Sequence, residues 1–228
     1  MKYHFITFAT DKYIEHANNI CNSSTIAGFD IHRIFTLHDL DPWYKERNSH
    51  ILNNGQGAGF WIWKSYIILK YLYEMDKDDI LCYCDSLYLF TGEKKIQNII
   101  PLLDTKTGIF ITHNKPNEPI YVEKQYTKGD AFFLMNTRDK VYCDTPQVWG
   151  GCIVIKNNFI SLQVISEWFT YVQDERIVTN LPSVVTSNYN EFIENRHDQT
   201  VISIICKKYK IPIIDFPNHF LHNIRVPK

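Results

Sequence analysis

Apolar residues along the first third of the chain predict strand, helix, strand, helix, strand. "KYHFITFA" (Lys2 to Ala9) is rich in β-branched and aromatic residues and reads as a strand. Asp11 follows as a helix cap, with Ile14, Ala17, Ile20 and Cys21 recurring at helical intervals. "DIHRIFTL" (Asp30 to Leu37) reads as a second strand, Trp61 to Met75 returns to helical spacing, and "DDILCYCD" (Asp78 to Asp85) is a third strand. Strands alternating with helices in this way imply an α/β fold whose mostly parallel sheet is covered on both faces.

The second half is mixed. A helix is expected near Lys94 to Leu103, a strand at "GIFITH" (Gly108 to His113), a Pro- and Asn-rich loop around Lys115 to Pro119, and a strand at "VWGGCIVIK" (Val148 to Lys156). Helices follow at Asn158 to Gln173 and His197 to Tyr209, then a strand "IPIID" (Ile211 to Asp215) and a tail with His219 and His222. The regular alternation ends near Phe90, which sets a soft boundary between residues 1–90 and 91–228 inside one continuous core. Neither an internal repeat nor a low-complexity tract interrupts it.

Composition narrows the class. The 228 residues are 45% hydrophobic and 21% charged, enough for one substantial core. With 24 Lys and Arg against 25 Asp and Glu, no global basic field draws nucleic acid or an anionic membrane, so an anionic ligand needs a local site. Lys207 to Lys210 ("KKYK") is a short basic cluster ending a helix, where cations complement the helix dipole. The six cysteines are scattered among apolar neighbours and lack a zinc spacing, which reads as reduced buried thiols. The amino-terminal stretch has no signal-peptide core and no segment reaches membrane-spanning length, so a soluble, cytoplasmic protein is expected. Oligomeric state is not legible.

Candidate chemistry gathers at predicted strand ends. Ligands of open parallel sheets bind beyond the carboxyl ends of the strands, where Thr10 with Asp11 and Asp85 with Ser86 stand. Alternation puts Tyr83 and Asp85 on one side of their strand, Cys82 and Cys84 on the other. A carboxylate there either caps the next turn or meets a cation. Lys64, near the start of the preceding helix, can hold phosphate oxygens as a point charge, while Trp63 and its aromatic neighbours suit a core. Gly150 and Gly151 allow close approach of a ligand to backbone, or a tight strand entry. Asp198 opens an apolar helix, where it either caps the helix or faces the crevice with His197 and Gln199.

The ordered blocks "ITFATDKY", "GAGFWIWKSYIILKYL", "DDILCYCDS", "WGGCIVIKNN" with Trp168 after it, and "ENRHDQTVISIICKK" resemble a pattern of glycosyltransferases of the GT-A fold, over about Tyr3 to Lys208. The resemblance implies a GT-A type, Rossmann-like sheet with a nucleotide-binding first half and a donor-sugar and acceptor second half. It implies transfer of a sugar from a nucleotide diphosphate donor, most simply a uridine diphosphate sugar, to a hydroxyl of a glycan or small acceptor. Carried over, Phe8, Ala9 and Thr10 border the nucleoside, Lys64 lies near the diphosphate, and Trp63, Ser86, Gly150, Gly151 and Gln199 belong to the donor site. Asp198 binds the donor sugar or removes the acceptor proton. Asp85 occupies the position of a manganese- or magnesium-binding acid, with His222 or His219 as a further ligand. "DSL" places Leu87 where the usual motif has a second aspartate. The other reading of the chain is a non-catalytic nucleotide-sugar or carbohydrate-binding module. A dinucleotide-dependent oxidoreductase is disfavoured, since "TDKY" after the first strand lacks the glycine-rich turn for a pyrophosphate.

Overall fold

The computed structural model describes residues 1–113, 121–214 and 217–224. A five-stranded sheet runs in the order β2-β1-β3-β6-β5. Its strands are β1 (Tyr3–Phe8), β2 (Ile31–Phe35), β3 (Ile80–Cys84), β5 (Ile109–Phe110) and β6 (Cys152–Lys156). A separate pair joins β4 (Tyr88–Phe90) to β7 (Leu221–Asn223). β1 pairs in parallel with both β2 and β3, whereas β6 is antiparallel to β3 and to β5. This is the α/β arrangement expected, a mixed sheet flanked by helices.

Central strands β1 and β3 are buried on both faces, which is why they read as near-continuous apolar runs. Their alternation still divides the interior. Ile6, Phe8, Leu81 and Tyr83 join a core under the long helices, while Phe5, Cys82 and Cys84 face a second core with Ile20, Phe90 and Trp149. Four helices matter for the site and its support: α1 (Ile14–Ile26), α2 (Trp63–Glu74), α3 (Phe159–Tyr171) and α4 (Asp198–Lys208). α2 and α4 both pack against α3. Asn158 starts α3 through a reciprocal cap with Ser161, its Oδ1 accepting the Ser161 amide at 2.8 Å and its amide donating to Ser161 Oγ at 3.0 Å. α4 is buried on nearly every side, and ends where Lys210 turns left-handed (φ 56°) and the Ile211 amide reaches back to the Cys206 carbonyl at 2.9 Å.

Several expectations are corrected. Asp11 caps nothing with its side chain: the chain makes a 3₁₀ turn over Asp11–Tyr13, and α1 begins at Ile14. The helix expected from Trp61 starts at Trp63, because the residues before it turn left-handed. Lys94 to Leu103 is not an α-helix but two 3₁₀ turns, Ile96–Asn98 and Ile100–Leu102, where Pro101 removes an amide donor. The strand at Gly108 to His113 shrinks to β5, and the one at Val148 to Lys156 begins at Cys152. No strand forms over Ile211 to Ile214, where Pro212 cannot donate to a ladder and Ile211 is engaged in ending α4. Asp215 of that segment, and the Lys115 to Pro119 loop, lie outside the described residues. Among the described residues no helix is long and apolar enough to cross a membrane.

Candidate active site

Beyond the carboxyl ends of β1 and β3 two cavities adjoin. The larger, about 440 Å³, is lined among others by Phe8, Ala9, Thr10, Trp63, Asp85 and Ser86. The smaller, about 210 Å³, takes Lys64, Asp198, Gln199, Arg196 and Trp149 into its walls. Trp61 and Asp85 line both, so they stand at the seam.

The larger cavity owes its shape to consecutive left-handed residues. Gly57, Ala58, Gly59, Phe60 and Trp61 all have φ between 51° and 93°. Such backbone costs a non-glycine residue roughly 1–2 kcal/mol, and it persists only where its surroundings fix it. Here a Cβ on Gly59 would fall 2.6 Å from Leu52 Cα, and one on Gly57 would fall 2.3 Å from the Trp61 ring. The turn lays the Trp61 indole over Gly57 and aims the Gly57 carbonyl at Trp63 Nε1, which donates to it at 2.9 Å. Trp63 in turn stacks on Phe8, ring centres 3.6 Å apart and planes 16° off parallel. Phe8, Trp61 and Trp63 thus line one pocket. Sequence reasoning passed over Gly57, Ala58 and Trp61; the closely spaced glycines of "GAGFW" were the signal.

At the seam a lysine is enclosed by oxygens. Lys64, second residue of α2 and 3% exposed, points its ammonium across the sheet end. Nζ donates to the Gly150 carbonyl at 3.1 Å and lies 3.1 Å from Asp198 Oδ2 and 3.4 Å from Asp85 Oδ1. Asp85 Oδ1 also accepts from Tyr83 at 2.7 Å, and its amide donates to the Gly151 carbonyl at 2.8 Å. The two glycines therefore serve with their carbonyls, one for the lysine and one for the strand end. Burial works against the charge of Lys64, but Asp198 and Asp85 outweigh it and hold the ammonium above its ordinary pKa. Asp198 is pushed up to about 6 by burial, against the pull of Lys64.

Asp198 does not cap α4. The N-cap is His197, at φ 57° and ψ −122°, and Asp198 is the first helical residue with Oδ2 facing Lys64 as an ion pair but in no hydrogen bond of good geometry. His197 is fixed at both ring nitrogens: Nδ1 bonds the Val178 carbonyl at 2.7 Å and Nε2 meets Gln56 Nε2 at 3.0 Å. That pattern fits a neutral ring with its proton on Nδ1, and burial lowers the His197 pKa accordingly. Gln199 straps α4 to the segment leading into β6, its amide nitrogen donating to Gln147 Oε1 at 2.7 Å and its oxygen accepting the Gly150 amide at 3.1 Å.

The site thus brings together Phe8, Ala9, Thr10, Trp63, Lys64, Asp85, Ser86, Gly150, Asp198 and Gln199, from strand ends and helix starts far apart in sequence. His222 is exposed in β7 opposite Leu89, His219 is exposed beside Glu93 at 3.3 Å, and neither lines the two cavities, although the tail passes the motif where the Ile224 amide donates to the Leu87 carbonyl at 3.2 Å. Manganese and magnesium favour several oxygen ligands in near-octahedral array. Among the described residues no three His, Cys, Asp or Glu side chains form a metal-holding group. At the motif position Asp85 is alone, with Leu87 lining the cavity and Oδ1 already shared by Tyr83 and Lys64. This donor set does not fit a resident divalent cation.

No protein-family model and no curated protein matches the chain. Among solved structures, it is similar to a glycosyltransferase involved in glycosylation of the major capsid of PBCV-1 (12% identity, TM-score 0.44, 75% of this chain and 66% of that one). It is also similar to mouse xyloside xylosyltransferase 1 (9%, TM-score 0.48, 95% and 85%). A third is the galactosyltransferase LgtC in complex with donor and acceptor sugar analogs (13%, TM-score 0.44, 90% and 70%). The chain thus spans just under two thirds of the first of these. At these identities and TM-scores the likenesses carry no argument about activity, and any functional reading has to stand on the joined cavities and the Lys64, Asp85 and Asp198 cluster between them.

Proposed function

We propose that the chain is a glycosyltransferase moving a sugar from a nucleoside diphosphate sugar, uridine diphosphate donors first among those to test, to an acceptor hydroxyl in glycan or polysaccharide synthesis. The observation that carries this reading is the buried ammonium of Lys64 at the seam of two cavities, 3.4 Å from Asp85 and 3.1 Å from Asp198. In this reading the nucleoside lies in the larger cavity against Phe8, Ala9 and Thr10, the diphosphate meets Lys64 and Ser86 at the seam, and the sugar enters the smaller cavity beside Asp198.

The chemistry follows from that placement. The acceptor oxygen forms a bond to the anomeric carbon as the bond from that carbon to the β-phosphate oxygen breaks. The electron pair of the broken bond stays on the diphosphate, which Lys64 stabilises as a hydrogen-bond donor. The acceptor proton passes to the Asp198 carboxylate, whose value of about 6 keeps it ionised at neutral pH yet close enough to neutrality to be an effective base. Trp61, which lines both cavities, stands beside the reacting groups, and positioning by both cavities supplies the rest.

The test is turnover with nucleotide sugars and its dependence on pH. Active protein is expected to show an ascending limb in kcat/KM near pH 6, from Asp198. Asp198→Asn is expected to lose the limb and about 10²- to 10⁴-fold in kcat. Absence of both transfer and donor hydrolysis across a panel of nucleotide sugars would leave a binding module. A variant that only raised KM would make Asp198 a hydroxyl contact rather than the base.

A further inference from the structure

The geometry points to Lys64 standing in the place of a divalent cation, so that this site grips a diphosphate without metal. The inference rests on the donor-site reading above and deepens it. Three observations carry it. First, the acidic motif position offers one carboxylate: Leu87 lines the cavity where a second acid would coordinate, and no group of three potential ligands exists among the described residues. Second, the position is already taken by positive charge. The Lys64 ammonium lies 3.4 Å from Asp85 Oδ1, and an incoming divalent ion on that carboxylate would meet its repulsion at short range. Third, the ammonium cannot easily withdraw. It is 3% exposed and tied to the Gly150 carbonyl at 3.1 Å, while Asp198 holds it from the other side at 3.1 Å.

These contacts also suit the role. Gly150 and Asp198 fix Nζ along two directions, and the longer contact to Asp85 is the one a phosphate oxygen would displace or share. Lys12 lines the larger cavity and is a further source of positive charge for a diphosphate, whereas Arg196 in the smaller one is paired with Glu194 at 2.8 Å. Asp85 then acts as a positioning residue: with Tyr83 bonded to it at 2.7 Å, it orients the lysine rather than a metal. During transfer Lys64 keeps its proton and donates a hydrogen bond to the departing phosphate oxygen, so the charge balance of the reaction is unchanged from that given above.

Isothermal titration of the whole protein with uridine diphosphate and guanosine diphosphate, in EDTA and then in millimolar manganese, tests this directly. Binding in EDTA that manganese changes by less than about threefold is expected, and Lys64→Met is expected to weaken it by about tenfold or more. Binding that appears only with manganese, or tightens by more than about tenfold, overturns the inference while leaving the donor site intact. Absence of nucleoside diphosphate binding in either buffer overturns the donor-site reading itself, and the inference with it. Electron paramagnetic resonance of manganese added to the nucleotide-free protein gives a second readout: no tightly bound ion is expected in the wild type, and a bound ion lost in Asp85→Asn would overturn the inference. Should Lys64→Met fail to fold, Lys64→Arg keeps the charge and is expected to retain binding in EDTA; binding abolished in folded Lys64→Arg unless manganese is added would count against it.

Discussion

Asp198 couples the chemistry of the site to the stability of the fold. Its carboxyl rises from 3.8 to about 6 on folding, because desolvation outweighs the pull of Lys64. The native state therefore binds more protons at this group than the unfolded chain does between those two values. The stabilisation present below the unfolded value is lost as pH rises through about 6. Urea melts of wild type and Asp198→Asn between about pH 4 and pH 7 are expected to show the wild type losing on the order of 1–3 kcal/mol relative to the variant, which cannot titrate. A parallel pair of curves would mean that Asp198 keeps its ordinary value. At this scale Lys64 and Asp85 were legible, as a lone cation and a lone acid spent at apolar strand and helix ends. The strapping role of Gln199 and the fixing of His197 by Gln56 were not, because their partners come from other parts of the chain.

Among the elements, the left-handed turn before α2 has the most specific demands. A methyl on Gly59 would meet backbone that cannot move aside, since Leu52 Cα is 2.6 Å from where it would stand and φ is 93°. Gly59→Ala is expected to lower unfolding free energy by roughly 1–3 kcal/mol, read from urea denaturation. Gly57→Ala meets the Trp61 ring instead, at 2.3 Å. That variant is expected to change tryptophan fluorescence and to weaken nucleotide binding through displacement of Trp61 from the seam; unchanged binding would show that the indole is not part of the pocket. Helical periodicity was readable where one face is buried, as in the second half of α2, where Ile67, Ile68, Tyr71 and Leu72 fall inward while Tyr73 and Glu74 are exposed. It misled over Lys94 to Leu103, where Ile96 and Ile99 are buried at a helical interval, yet Pro101 and short 3₁₀ turns meet the same need.

For the whole molecule, the sheet is shared between both parts of the sequence. β1, β2 and β3 come from residues 1–90, but β3 is paired along its full length with β6, from Ile80 against Lys156 to Cys84 against Cys152. α2 packs against α3, and β4 finds its partner in β7 near the other end of the chain. A fragment of residues 1–90 would expose an apolar strand edge and the helix face that α3 covers. It is expected to show no cooperative thermal unfolding by circular dichroism, and a sharp transition in that fragment would overturn the view that the core is indivisible.

Local patterning by itself determined the parallel β1, β2, β3 unit with its intervening helices, and the side of β3 on which Tyr83 and Asp85 fall. Period-two and period-three-to-four burial is written into neighbouring residues, so no distant contact is needed to read it. Only the tertiary structure decided that β6 runs antiparallel, that the turn at Gly57 to Trp61 winds left-handed, and that Lys64, Asp85, the Gly150 carbonyl and Asp198 meet. Those outcomes depend on which strand edge each segment finds and on which buried charge it must satisfy. Both are settled by packing across the chain, because an ammonium taken out of water is stable only where oxygens from several separate elements converge on it.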